Sequence, residues 1–341
     1  MQKKIIALAI ASALTVPALA FADTSNVTVY GRMHVSYDHF DVDTNSNDTG
    51  QFLSNNSSRL GFKGNEDLGN GLKAVWQFET GVAADGEGGP FNSIRDTFVG
   101  LSCSFGTVTA GRQAWDNLFA HDANMFSDQI GAPSVWIDAS GRANNTIKYA
   151  SPNMSGFDAS LTYVTPGGFT GESTADNLEH SYALKGTYNN GPLFASLTYL
   201  SKGTIKSAEE WKTTSIAARY DFGVGKVVAQ YVDYRDYNGV SGDDRDVITI
   251  GGNYKVTGNG TLKAQFTKVD HDANDMGADM ITIGYDHSLS KRTTAYVAYS
   301  RVNNDSKGAY NVSGSGHGAK PATIGANTDP TGLSFGLAHD F

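Results

Sequence analysis

Val27-Thr28-Val29-Tyr30-Gly31-Arg32-Met33-His34-Val35-Ser36 alternates with a period of two. Val27, Val29, Met33 and Val35 fall on one side, and Thr28, Arg32, His34 and Ser36 on the other. Successive side chains leave an extended backbone in opposite directions, so this stretch is a strand with one apolar and one polar face. Leu72, Ala74, Trp76 and Phe78 repeat the pattern, facing away from Lys73, Gln77 and Glu79. So do Ile248 and Ile250, Leu262, Ala264 and Phe266, Ile281, Ile283 and Tyr285, and Leu333, Phe335 and Leu337.

Sixteen such segments run along the chain, at roughly 26–38, 56–64, 71–81, 93–102, 106–113, 144–150, 156–165, 179–189, 192–202, 212–222, 225–236, 246–256, 260–269, 279–289, 291–301 and 332–341. Short connections, such as Asn190-Gly191, Phe222-Gly223-Val224 and Thr257-Gly258-Asn259, have the Asn and Gly content of tight hairpins. Long polar connections alternate with them, notably 39–55, 114–143, 166–178 and 302–331. A secreted soluble β-sandwich has no reason to gather its long loops at one end, whereas an outer-membrane barrel pairs short turns on one side with long loops on the other. Tyr163, Tyr199, Tyr231, Tyr234, Tyr254, Tyr285, Tyr296 and Tyr299 are candidates for the interfacial aromatic girdles. In lipid an open sheet edge leaves its amides without partners, so the last strand must pair with the first. The expected fold is all-β: a 16-stranded antiparallel transmembrane β-barrel.

The amino terminus reads as a secretory signal over residues 1–22, leaving 23–341 as the barrel. Lys3 and Lys4 form a positive region, Ile5 to Val16 an apolar one, and small residues offer two cleavage patterns, Ala18-Leu19-Ala20 and Ala20-Phe21-Ala22, of which the second, with cleavage after Ala22, is favoured. The apolar stretch is shorter than the ~20 residues of a spanning helix. Removing the segment takes the formal charge from −9 to −11, because its only charges are Lys3 and Lys4.

Composition agrees. With 39 glycines, 16 tyrosines and 17 phenylalanines in 341 residues, the chain is a poor helix former and too aromatic to be disordered. The acidic balance disfavours nucleic acid. A single cysteine, Cys103, excludes an internal disulfide or a Cys-rich zinc site and falls at an expected short turn.

The chain resembles the trimeric, sixteen-stranded general porins of Gram-negative bacteria, of neisserial and related proteobacterial type. The resemblance is carried by Val27-Thr28-Val29-Tyr30-Gly31-Arg32, by Ser58-Arg59-Leu60-Gly61-Phe62-Lys63-Gly64-Asn65-Glu66-Asp67-Leu68-Gly69-Asn70-Gly71-Leu72-Lys73-Ala74, by Phe98-Val99-Gly100-Leu101, by Phe105-Gly106-Thr107-Val108-Thr109-Ala110-Gly111-Arg112, by Arg142-Ala143-Asn144-Asn145-Thr146-Ile147-Lys148-Tyr149 and by Gly336-Leu337-Ala338-His339-Asp340-Phe341. No one of these motifs is decisive alone; their order and spacing are. The resemblance implies a homotrimer of water-filled pores in the outer membrane that passes ions and small polar solutes passively, without cofactor. Its surroundings would be outer-membrane lipid and lipopolysaccharide. It also implies that the terminal aromatic, Phe341, is read by the barrel-assembly machinery, and that small outward residues such as Gly31, Gly100 and Ala110 lie at trimer contacts.

A sixteen-stranded barrel is wide enough for an aqueous channel, so selectivity needs a constriction. The third outer loop, 114–143, is long enough to demand a function. It mixes Trp115, Leu118, Phe119, Met125, Phe126, Ile130, Trp136 and Ile137, which could anchor it on the inner wall, with Asp116, Asp122, Asp128 and Asp138. In the family this loop folds inward as the eyelet. Arg59, Arg95 and Arg142 match the family's basic cluster, Arg32 and Lys73 lie on the polar strand face, and Arg112 enters the loop. An arginine's charge survives burial and ordinary pH, and rings of charge set ionic preference. The expectation is an arginine wall facing loop carboxylates.

Other signals are weaker. Asp270-His271-Asp272-Ala273-Asn274-Asp275 lacks the glycine and the glutamate of a calcium loop, and the histidines show no metal spacing. A barrel enzyme would need a Ser/His or Asp/His constellation, for which His34 with Asp38, or His271 with Asp270, is the only raw material. Neither Walker, Rossmann nor G-x-S-x-G patterns occur in the required context.

Overall fold

A computed structural model describes residues 26–42, 50–87, 89–115, 123–137, 141–169, 179–203, 209–314, 316–321 and 324–341. The expected signal segment, 1–22, lies outside the described residues. The strands are β1 (Asn26–Asp41), β2 (Gly50–Asn55), β3 (Arg59–Gly69), β4 (Leu72–Val82), β5 (Phe91–Cys103), β6 (Gly106–Ala114), β7 (Arg142–Ala150), β8 (Phe157–Val164), β9 (Ser181–Asn190), β10 (Leu193–Lys202), β11 (Trp211–Asp221), β12 (Gly225–Arg235), β13 (Arg245–Lys255), β14 (Gly260–His271), β15 (Ala278–Ser288), β16 (Thr293–Asn304) and β17 (Thr331–Asp340). β2 and β3 both pair with β1, opposite Val35–Phe40 and Asn26–Arg32, and are the two halves of one barrel strand interrupted at Asn56–Ser58. The result is a sixteen-stranded antiparallel barrel. β17 pairs along β1 from Arg32↔Asp340 to Asp41↔Thr331, and the cylinder is closed.

The one change to the expected strand pattern is at this interrupted strand. Gly50–Asn55 extends the wall where the long connection 39–55 was expected. Gly-Gln-Phe-Leu-Ser-Asn does not alternate cleanly, so its pairing with β1 left no periodic trace in the sequence.

Alternation sorts the wall into two surfaces. Leu197, Ile216, Val227, Ile250, Ile283 and Phe335 point outward and are exposed, while Thr198, Ser215, Thr249, Thr267, Thr282 and Ser300 point inward and are buried. Tyr163, Tyr199, Tyr231, Tyr254 and Tyr299 stand on the outer surface as expected. Tyr234 and Tyr296 do not; both are buried on the inner face, with the parity of Val232 and Ala298. Gly100 also lies opposite to expectation, facing the bore between outward Val99 and Leu101, so it offers nothing to a neighbouring subunit.

The buried apolar residues sit inside the bore. Phe126, Ile130, Trp136 and Ile137 of the third loop pack with Phe40, Val164, Val232, Val247, Val302 and Val312. The wall beneath this loop mixes apolar residues with Lys263, Gln265, Thr282 and Ser300.

Candidate functional site

The third loop crosses the lumen, as expected. Gln265 on β14 accepts from the Met125 amide at 3.1 Å and donates to the Ala123 carbonyl at 2.7 Å. Thr282 on β15 donates to the Gly131 carbonyl at 3.1 Å. Lys263 on β14 donates to Gln129 at 3.0 Å, pairs with Asp286 at 2.9 Å and lies over the Phe126 ring. The loop is therefore fastened to the β14–β15 wall and presents its far edge to β3.

At that edge stands Asp128, its Oδ2 3.9 Å from a terminal nitrogen of Arg59. Burial pushes the Asp128 carboxyl above its ordinary range, against the opposing charges of Arg59, Arg32 and Arg95 and a hydrogen bond with Ser57. Asp116, Asp122 and Asp138 lie outside the described residues.

Arg95 and Arg142 complete a cluster with Arg59. Arg95 Nε is bonded to Glu79 Oε1. Arg142 Nε donates to Asp96 Oδ1 at 2.7 Å, and its terminal nitrogen lies 3.9 Å from Glu79. The Tyr30 hydroxyl donates to the other Glu79 oxygen at 2.9 Å. Asp96 also accepts from the Ala114 amide at 3.2 Å, tying the start of the third loop to β5.

Strand irregularity brings these groups together. Arg59 follows the break at Ser57, which has a positive φ of 55°. Arg95 and Asp96 occupy a slip in the β4–β5 register, between the pairs Phe78↔Thr97 and Thr80↔Ile94. Arg142 begins β7 beside the slip between Gly111 and Gln113 of β6. A bulge re-aims side chains that strict alternation would send to opposite faces. Here three irregularities around one stretch of wall supply three guanidinium groups.

Arg32 joins the edge of this cluster, directly opposite Arg59 in the β1–β3 register and 3.8 Å from Asp340. Two expected members fall elsewhere. Lys73 faces the bore at the short-turn end of β4, six residues from Glu79, which is about 20 Å along a strand. Arg112 lies opposite Thr97 with the outward parity of Val108 and Ala110. It donates to the Ile94 carbonyl and to Asn144, and so turns away from the lumen. The counter-charges expected on the loop give way to Glu79 and Asp96 on the wall, which are the closer partners. Glu79 was legible on the polar face of β4, whereas Asp96 needed the bulge.

At the seam, the Phe341 amide donates to the Gly31 carbonyl and the Gly31 amide to the Phe341 carbonyl, both at 3.1 Å. The Phe341 ring covers Gly31, where an added Cβ would lie 2.4 Å from it. Gly31 is therefore a packing position beneath the terminal ring. Cys103 is exposed beside the short β5–β6 turn.

A family model described as Gram-negative porin matches residues 7–307. Outer membrane porin protein 32 of Delftia acidovorans is 32% identical over 360 residues, covering 100% of both chains. Major outer membrane protein P.IB of Neisseria gonorrhoeae is 29% identical over 330 residues, 84% of this chain and 91% of that protein. Among solved structures, the anion-selective porin from Comamonas acidovorans aligns with a TM-score of 0.78 at 29% identity, over 93% of this chain and 100% of that one. OmpT of Vibrio cholerae, solved in a trimer form, shares the fold with a TM-score of 0.65 at 15% identity, over 94% of this chain and 100% of that one. These relatives are channel proteins rather than enzymes, and the solved ones share the barrel fold: the chain belongs to the Gram-negative porins of the outer membrane.

Proposed function

We propose that the pore prefers small anions over cations, and that the preference is set where the third loop faces Arg59, Arg95 and Arg142. The gathering of these three guanidinium groups at the level of the inward loop carries the reading. Arg32 adds a fourth positive charge, against Glu79, Asp96 and Asp128. Inward-facing Lys63, Lys73, Lys185, Arg219 and Lys226 lie towards the short-turn side, so a permeating anion meets further positive wall on that side of the narrow zone. The likeness to an anion-selective porin supports the same sign. Charge in the outer loops contributes little, since it is screened within about 8 Å at physiological salt.

The reading includes a homotrimer set among outer-membrane lipid and lipopolysaccharide, with cleavage of residues 1–22 on export. Phe341 acts as the terminal signal for the assembly machinery. Planar-bilayer recording in a salt gradient tests it: conductance steps in threes and a reversal potential of the sign set by the anion support the proposal. A cation-signed potential refutes it.

A further inference from the structure

The segment joining β16 to β17, described over 305–314, 316–321 and 324–330, also enters the bore. Three observations set it apart from a loop that caps the rim. First, His317 Nε2 lies 3.3 Å from Asp38 Oδ2 on β1, and both side chains are fully buried. His317 Nδ1 is held by Ser313 and the Ala319 carbonyl, and Asp38 by Ser36 and Ser54. Burying two ionisable groups is costly unless geometry compensates, and nothing about covering the rim requires it. Second, the segment is tied to the third loop. The Gly131 amide donates to the Val312 carbonyl at 2.8 Å, and Trp136 Nε1 to the Asn311 carbonyl at 3.0 Å. Third, Gly316 lies against the eyelet acid itself. Its φ is +99°, and an added Cβ would come within 2.5 Å of Asp128 Oδ1; its carbonyl accepts from Ser57 at 2.9 Å.

We propose that the β16–β17 segment is a second constriction element, and that His317 is a positioning residue which, held on Asp38, keeps Gly316 against Asp128 and thereby sets Asp128 opposite Arg59. The chain of contacts runs from the β1 wall through Asp38 and His317 to Gly316, then to Asp128 and Arg59. Other groups around the pair serve the same anchoring. His34 is bonded to Tyr296 at 2.9 Å, and Asn56 donates to Ser36 and accepts from the Gly318 amide. The inference rests on the pore reading for its measurement, but on these contacts for its content.

The test is single-channel recording of full-length trimers carrying His317→Ala, Asp38→Asn, Asp128→Asn and the pairwise combinations. Freed of its anchor, the segment withdraws, so His317→Ala raises conductance. Asp128 leaves Arg59, so the reversal potential moves in the same direction as in Asp128→Asn. In the Asp128→Asn background His317→Ala still raises conductance but adds no further shift of potential. His317→Ala and Asp38→Asn combined do no more than either alone, as expected of one interaction. His317→Gln, which still donates one hydrogen bond, restores part of the parent behaviour. A purely structural role would lower the heat resistance of the trimer and leave the potential unmoved.

If His317→Ala does not assemble, replacement of 311–320 by a short Gly-Ser link, which spares every strand, makes the same measurement. Folded channels of either kind with parental conductance and potential overturn the proposal. A parent without anion preference counts against the selectivity reading instead, and the conductance of the variants still decides this one.

Discussion

Arg142 of β7 bonds Asp96 of β5 at 2.7 Å through Nε and stands 3.9 Å from Glu79 of β4 with a terminal nitrogen. One guanidinium thus joins carboxylates from two strands while Arg95 holds Glu79 from the other side. Neutralising Arg95 and Arg142 together leaves Glu79 and Asp96 without these two cations, and the local balance turns negative. Two unit charges 4 Å apart in water interact by about 1 kcal/mol, which is roughly fivefold in relative ion occupancy. The Arg95→Gln, Arg142→Gln double variant should therefore shift reversal potential towards cations by a permeability ratio of about that size per charge. Removing Arg112, which faces outward, should shift it far less. Bilayer recordings of the two variants decide the point.

Asp128 gives the pore a pH dependence. Its carboxyl is raised by burial, so it takes up a proton on acidification before an ordinary aspartate does. Above that raised value the ionised form carries the cost of burial, and the cost is relieved as pH falls through it. Loss of its charge leaves Arg59 uncompensated, so anion preference should rise as pH falls through that raised value. In Asp128→Asn the preference should already be high, and this earliest part of the titration should disappear from reversal potentials recorded against pH.

The strands were legible because a half-buried wall writes its two faces as alternation, and tight hairpins write themselves as Asn-Gly. Asn70 and Gly71, both with positive φ, are such a turn. The site was legible only as far as the family pattern carried Arg59, Arg95 and Arg142. Alternation alone cannot place Arg95 and Asp96 side by side in one cluster, because the slip opposite Phe78 and Thr80 suspends it. It misplaced Tyr234 and Tyr296 for a different reason. Tyr234 packs inside on Trp211 and Tyr237, and Tyr296 is bonded there to His34, and an aromatic with such inner partners looks the same in the sequence as one at the lipid boundary. His317 and Asp38 lie 279 positions apart, and their pairing arises only when a long loop turns inward.

Gly31 has no room for a side chain. A Cβ there would lie 2.6 Å from the Arg59 carbonyl and 2.4 Å from the Phe341 ring. The ring can move, but the carbonyl belongs to the β1–β3 pairing and cannot. Gly31→Val should cost about 1–3 kcal/mol, as overpacked positions do, seen as a lower urea midpoint for the refolded barrel. Adding Phe341→Ala should recover only the part owed to the ring.

Ile216 of β11 stands on the outer face between Leu197 and Tyr231, its neighbours on β10 and β12. All three are exposed on the described chain and so face the surroundings of the wall. Near the middle of the strand that surrounding is hydrocarbon, where an arginine costs about 2–4 kcal/mol. Thr249, on the inner face of β13, is fully buried within the bore, against Thr267. Ile216→Arg should lower the stability of the barrel refolded in lipid by that amount and leave single-channel reversal potential unchanged. The equivalent change at an inward position nearer the short turns, Gln77→Arg, should do the reverse: little effect on refolding, and a shift of the potential towards anions. Denaturant titrations in vesicles and bilayer recordings on the same two variants separate the lipid face from the water face.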